Sequence, residues 1–237
     1  MKAVILAGGK GARLAPYTKI LPKPLMPIGD MPILEVLLRQ LKASGVNNVV
    51  ITVGHLAALL RTYFNDGREL GLNISYSYEE KPLGTAGPLA LVEGLTDTFF
   101  VMNGDVLTTM KFQELLQFHK SQGAVATIAS HQRTVKIDLG VLQHADGDYQ
   151  VTNYIEKPSY DYLVSMGIYV FEPEVLEFIP RNEYLDFPSL VLKLIAAGKK
   201  VCYLPHDGYW KDLGRPDDYE QASQEFEAMR NQFLPED

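Results

Sequence analysis

The sequence predicts an α/β protein built on an open, mainly parallel sheet flanked by helices. Three observations carry that prediction. Short apolar runs alternate with segments of helical periodicity through the first half of the chain. Several of the runs are apolar at consecutive positions, as strands covered on both faces must be. The runs stop abruptly at glycine, asparagine or acidic residues, which puts polar loops at strand ends.

Residues 3–7 form the first apolar strand, and Gly8, Gly9 and Gly11 follow it at once. Residues 32–44 place Ile33, Val36, Leu37 and Leu41 at helical spacing, and Gly45 stops the helix. Residues 48–53 are a second apolar strand, and 57–64 a short helix ended near Asn65-Asp66-Gly67. Residues 74–78 alternate like a strand and run into the loop 79–87. A helix is expected over 88–93, then a buried strand over 98–102 that ends in Asn103-Gly104-Asp105. Strand–helix alternation of this kind implies right-handed βαβ units. Ligands of such sheets bind at the carboxyl ends of the strands. The loops after residues 7, 78 and 102 should therefore converge on one crevice.

The second half is richer in strands. Residues 112–122 read as an amphipathic helix. Strands are expected over 125–131, 139–144, 150–156 and 165–171, with a turn at Asp146-Gly147-Asp148. A helix over 188–197 is closed by Gly198, a strand covers 201–205, and a polar helix runs over about 216–233 with Pro216 in its first turn. No repeat, low-complexity linker or charge run divides the chain, so residues 1–237 read as one domain whose two halves share a sheet.

Composition excludes several functions. The chain of 237 residues is 46% hydrophobic and 22% charged, ordinary for a globular protein with a sizeable core. A net charge of −7 leaves no basic excess for a nucleic-acid backbone. The single cysteine, Cys202, permits no intramolecular disulfide and suits a reducing compartment. No apolar segment approaches the about 20 residues needed to cross a bilayer, and the N-terminus does not read as a secretory signal. A cytoplasmic protein without membrane or nucleic-acid partners is expected. His55, His119, His131, His144 and His206 show no metal-binding spacing, and no serine sits in a G-x-S-x-G elbow, so zinc and triad chemistry are unsupported.

The stretch from Val4 to Pro27 carries the strongest chemical signal. Glycines after a buried strand let the backbone approach a ligand, their N–H groups can cradle phosphate, and Arg13 and Lys23 supply positive charge. The spacing matches neither G-x-G-x-x-G nor G-x-x-x-x-G-K-[ST]. Asp105 and Asp212, each beside a strand end, are candidate ligands for Mg²⁺, which takes one or two carboxylates plus phosphates and water; turn-forming or capping roles are the alternative. In Glu156-Lys157-Pro158 the lysine could meet a second phosphate and the glutamate could accept from hydroxyl groups, or the two could be a solvated pair. Glu79 and Glu80 could accept the adjacent N–H donors of a guanine edge, or form a solvated acidic loop.

Leu6-Ala7-Gly8-Gly9-Lys10-Gly11-Ala12-Arg13-Leu14, followed by Pro22-Lys23-Pro24-Leu25, resembles the signature loop of the sugar-1-phosphate nucleotidyltransferases, or NDP-sugar pyrophosphorylases. Pro82-Leu83-Gly84-Thr85-Ala86-Gly87, Asn103-Gly104-Asp105, Glu156-Lys157-Pro158, Gly167-Ile168-Tyr169 and Trp210-Lys211-Asp212-Leu213-Gly214 recur in the family's order, across essentially the whole chain. The resemblance implies a Rossmann-like nucleotide-diphospho-sugar transferase fold. Its nucleotide-binding half would span about residues 1–110 and its sugar-phosphate-binding half about 111–237. It implies that an NTP and a sugar 1-phosphate yield an NDP-sugar and pyrophosphate.

By that similarity Leu6, Ala7, Gly8, Gly9, Gly11 and Arg13 hold the nucleotide, and Lys23 sits against its phosphates. Glu79, Glu80, Pro82, Gly84 and Thr85 select the base. Asn103, Gly140, Glu156, Lys157 and Gly167 serve the sugar phosphate, and Asp105 and Asp212 hold Mg²⁺. Arg13, Lys23, Asp105 and Asp212 would be the catalytic set. The second glycine loop is most similar to that of mannose-1-phosphate guanylyltransferases, which favours GTP and mannose 1-phosphate. Thymidylyl-, uridylyl- or cytidylyltransferases and a non-catalytic regulatory paralogue are the alternatives. Many relatives carry a C-terminal β-helix of hexapeptide repeats. The sequence to Asp237 shows none, so no such domain is expected, and a homo-oligomer is compatible with the chain.

Overall fold

A computed structural model describes residues 1–234. Its central strand, β1 (Lys2–Ala7), is apolar on both faces, and Ala3, Val4 and Ile5 are fully buried. β4 (Asn48–Val53) and β6 (Phe99–Asn103) flank it in parallel, and β5 (Asn73–Tyr78) adds in parallel beyond β4. Direction reverses past β6. β11 (Ser159–Phe171) runs antiparallel to both β6 and β8 (Ala126–Lys136), and β12 (Val201–Pro205) closes that edge parallel to β8. These seven strands form one mixed sheet in the order β12, β8, β11, β6, β1, β4, β5. The two halves of the chain thus share a sheet, as the absence of a linker implied.

The alternation of side chains along β1 builds two cores. Ile5 points to a face covered by α1 (Ile33–Ala43), α2 (Ala57–Phe64) and α3 (Phe112–Gln122), through residues such as Leu37, Phe64 and Phe112. Val4 points to the opposite face, where α4 (Phe187–Ala196) packs Phe187, Leu190 and Leu194 against Tyr169 and Phe171. Each such side chain, fully removed from water, contributes about 1.5–3 kcal/mol. A third cluster lies beneath α5 (Pro216–Ala228) and α6 (Arg230–Phe233), which pack Phe226 and Phe233 on Met26, Ile28 and Val36. It also takes in the small pair of β2 (Pro27–Ile28) and β3 (Met31–Pro32). Two further strand pairs complete the fold: β7 (Val106–Thr108) with β13 (Trp210–Asp212), and β9 (Val141–His144) with β10 (Val151–Ile155). No helix of the described residues is long and apolar enough to cross a membrane.

The structure departs from expectation in three places. The helix expected over 88–93 is only a 3-10 turn, Gly87–Leu91, because the chain is already extended at Val92, with ψ of 121°. The polar helix expected over 216–233 breaks at Met229, whose φ of −118° leaves the helical region, and α6 restarts after it. The strands expected over 125–131 and 165–171 extend to Lys136 and back to Ser159. There they pair mainly with each other and project as a two-stranded arm.

One buried polar knot ties α3 to the sheet. His119 is 1% exposed, with Nδ1 2.8 Å from the Thr127 hydroxyl and Nε2 3.0 Å from Glu172, which also accepts from the Thr98 hydroxyl. Burial holds the imidazole below its ordinary pKa of 6.5, and the hydrogen bond to Glu172 opposes it only in part. A histidine depressed in the folded state takes up its proton more readily when the chain unfolds. Its contribution is complete above the unfolded pKa and is lost as pH falls through the lower folded value. Thermal stability should therefore drop as the pH is taken from above to below the ordinary imidazole value of 6.5, and part of that drop should vanish in His119→Gln. Melting curves across that range check this; parallel profiles for the two proteins would reject it.

Candidate active site

The carboxyl ends of β1, β4, β5 and β6 open into one cleft of about 860 Å³. The first loop leaves β1 at Ala7. Gly8 faces Glu79 so closely that a Cβ there would lie 2.3 Å from Oε1 of that carboxylate. Gly9 has open space around it and lines the cleft. The loop is steadied at Gly11, whose carbonyl accepts from the Thr18 hydroxyl at 2.8 Å and from the Leu14 N–H at 2.9 Å. Arg13 then reaches toward Gly214. Its Nη2 and Oδ2 of Asp212 each lie 3.2 Å from where a Cβ on that glycine would stand.

Lys23 is the electrostatic centre of the cleft. Its side chain is 10% exposed, its ammonium pairs with Asp105, and it lies 3.4 Å from Oδ1 of Asp212. Two local devices make this possible. The turn after β6 is held by the Gly104 N–H donating to the Leu6 carbonyl at 3.0 Å, which sets Asp105 beside the first loop. The pairing of β13 with β7 aligns Asp212 with Val106, so residues far apart in the chain end on one spot. One ammonium is shared by two carboxylates, and the Arg13 guanidinium approaches Asp212 from the first loop. The described residues contain no cluster of three or more His, Cys, Asp or Glu suited to a metal. The donor set of two carboxylates instead fits an ion that draws its remaining ligands from phosphates and water, as Mg²⁺ does.

The second loop is fastened to the segment before α4. Oε2 of Glu79 accepts from the Leu83 N–H at 3.0 Å, and burial raises the pKa of this carboxyl above its ordinary value while that bond opposes the shift. Gly84 has φ of +81°, and a Cβ there would stand 2.5 Å from the Leu185 carbonyl oxygen. That carbonyl accepts from the N–H groups of Ala86 and Gly87, the Leu185 N–H donates to Leu83, and the Thr85 hydroxyl accepts from the Phe187 N–H at 2.9 Å.

Of the residues singled out in the sequence, Leu6, Ala7, Gly8, Gly9, Gly11, Arg13, Lys23, Glu79, Glu80, Pro82, Gly84, Thr85, Asn103 and Asp105 line this one cleft. Asp212 joins through Lys23. Gly167 packs beneath Asn103, whose Nδ2 would lie 2.4 Å from its Cβ. Gly140, Glu156 and Lys157 are not brought to the cleft. Gly140 lies against the Tyr154 ring beside β10, and Glu156 and Lys157 are exposed at the turn between β10 and β11, where Lys157 has φ of +45°. The structure adds Thr52, Gly54, His55 and Tyr184 to the cleft wall. The first three sit at or just past the end of β4, where the carboxyl-end rule alone could have found them. Tyr184 arrives from a distant loop and had no local signal.

Comparison with known proteins gives a consistent picture. The family model described as nucleotidyl transferase matches residues 2–229. A UTP–glucose-1-phosphate uridylyltransferase of Synechocystis sp. is 36% identical over 244 residues, covering 94% of this chain and 62% of its own length. A mannose-1-phosphate guanyltransferase of Yarrowia lipolytica is 36% identical over 231 residues, covering 92% of this chain and 62% of its own. The chain therefore spans somewhat under two thirds of the length of these curated relatives. A crystal structure of a Bacillus anthracis protein assigned as a glucose-1-phosphate thymidylyltransferase superposes with a TM-score of 0.77, over 98% of both chains at 24% identity, a likeness of fold.

The fastening of the second loop is testable at Gly84. Gly84→Ala puts a Cβ against the Leu185 carbonyl at positive φ, and should cost about 1–3 kcal/mol in urea unfolding. It should also speed amide exchange at Ala86, Gly87 and Phe187. Unchanged exchange at those amides would show that the two segments are not clamped together.

Proposed function

We propose, from the premise that the chain belongs to the nucleotidyl transferase family, that it joins a nucleoside triphosphate to a sugar 1-phosphate, releasing pyrophosphate. The observation that carries this reading is the buried Lys23 ammonium shared by Asp105 and Asp212 at the mouth of a glycine-loop cleft. Acyl transfer or zinc hydrolysis has no use for such an arrangement. Phosphoryl chemistry needs little else, since its catalysis is mostly positioning and charge stabilisation.

In this reading the N–H groups of Gly8, Gly9 and Gly11 and the Arg13 guanidinium hold the triphosphate. Lys23 meets the charge that develops on the departing pyrophosphate. A sugar-phosphate oxygen attacks the α-phosphorus in line. That oxygen is already anionic, so no side chain has to remove a proton. Asp105 and Asp212 are the residues that would hold Mg²⁺, which would supply positive charge against the phosphates. Asn103, seated on Gly167, would meet the sugar phosphate at the floor of the cleft. Gly140, Glu156 and Lys157 would serve the sugar from the arm, a role that rests on their motifs.

GTP with mannose 1-phosphate is the preferred pair, supported by the Yarrowia lipolytica relative and by the acidic entry to the second loop. Oε2 of Glu79 is bonded to Leu83, whereas Glu80, which lines the cleft with no side-chain hydrogen bond among the described residues, is free to face a guanine edge. The equally similar Synechocystis relative makes UTP with glucose 1-phosphate the rival pair. The single cysteine is in keeping with a cytoplasmic enzyme.

A matrix of GTP, UTP, dTTP and CTP against mannose and glucose 1-phosphates, read by pyrophosphate release, tests the reading. Turnover with at least one pair is expected, and GTP with mannose 1-phosphate should be the best. Silence across the matrix would overturn the function, and indifference to GTP the base. Asp105→Ala should reduce turnover by ~100-fold or more while retaining the folded circular-dichroism spectrum. Wild-type turnover in that variant would remove Asp105 from the chemistry.

A further inference from the structure

Tyr184 lies in the segment between the 3-10 turn Pro173–Phe178 and α4, yet it forms part of the cleft wall. It is 67% exposed, and its hydroxyl has no hydrogen-bond partner among the described residues, so it does not serve the core. It is nevertheless held in place. Its neighbour Leu185 exchanges backbone hydrogen bonds with Leu83, Ala86 and Gly87. Its Cε2 lies 3.2 Å from the position a Cβ on Gly84 would take, so the bare glycine backbone is what lets the ring settle there.

Charge is unevenly spread around the cleft. Lys10, Arg13 and Lys23 belong to the first loop, the phosphate end. In the second loop Glu79, Glu80 and Lys81 are charged, and the lining after them is not: Pro82, Gly84, Thr85, Pro88 and the Tyr184 ring. A nucleotide bound with its phosphates at the cations directs its base toward that uncharged wall. A ring with a fixed backbone and an exposed face is what a flat heterocycle requires, and stacking is available to every base because each has a π-face.

We propose that Tyr184 is a stacking platform for the nucleobase of the bound nucleoside triphosphate, an inference that rests on the nucleotidyl-transfer reading. Tyr184 supplies affinity common to all bases and leaves selection to groups that meet the base edge. Its contribution is greater for a purine than for a pyrimidine, because a purine covers more of the ring.

Calorimetric binding of GTP, UTP and inorganic tripolyphosphate to the wild type, Tyr184→Leu and Tyr184→Phe tests this. Tyr184→Leu should lose ~10-fold or more in GTP affinity, less for UTP, and nothing for tripolyphosphate, while Tyr184→Phe retains all three. Nucleotide affinity unchanged in Tyr184→Leu overturns the stacking. So does an equal loss for tripolyphosphate, which would mean that the substitution disturbs the loop. If the wild type binds nucleotides and releases pyrophosphate but Tyr184→Leu binds GTP normally, stacking alone is overturned. If the wild type binds none of GTP, UTP, dTTP and CTP, the transfer reading falls with it.

Discussion

The Lys23 ammonium must be neutralised, and that requirement organises the cleft. A nearly buried cation without partners costs several kcal/mol, and its partners here come from two distant places in the chain. The charged centre is complete only when the turn after β6 supplies Asp105 and β13 supplies Asp212. The strands that pair to make the sheet also place the charges. The two carboxylates repel each other unless a cation stands between them, so the geometry that binds Lys23 also suits a phosphate-bound metal ion.

Much of the fold was legible because burial on both faces leaves a plain mark on a strand. The strands at 48–53 and 201–205 and the helices at 57–64 and 112–122 have the bounds their apolar runs indicated. The arm was not legible beyond its root. Past His131 and before Val164, β8 and β11 cover no core, so Tyr160, Asp161 and Tyr162 follow no burial pattern and only backbone pairing makes them strands. The break at Met229 was hidden for the opposite reason: Phe226 and Phe233 both anchor the third cluster, and their spacing looks continuous.

Site residues divide along the same line. Everything that follows a parallel strand could be placed from sequence, because the sheet dictates where its carboxyl ends converge. Asp212 was placed by its motif, and only the pairing of β13 with β7 gives the physical reason. Tyr184 depends on a backbone clamp between two loops about a hundred residues apart. No local pattern encodes such a contact. Glu79 shows a further limit: its acidity suggested a ligand-facing group, and it does line the cleft, but the bond by which Oε2 also braces Leu83 had no local signal.

The place of β13 far behind the glycine loop bears on synthesis. On the ribosome the glycine loop, Lys23 and Asp105 emerge first and in order, and the inner strands can begin to pair while translation continues. Asp212 follows about a hundred residues after Asp105. Until then Lys23 has one of its two anionic partners, and the second carboxylate of the pair does not yet exist. A nascent chain thus carries a phosphate-shaped loop without a finished centre, and the pair is complete only once β13 has emerged.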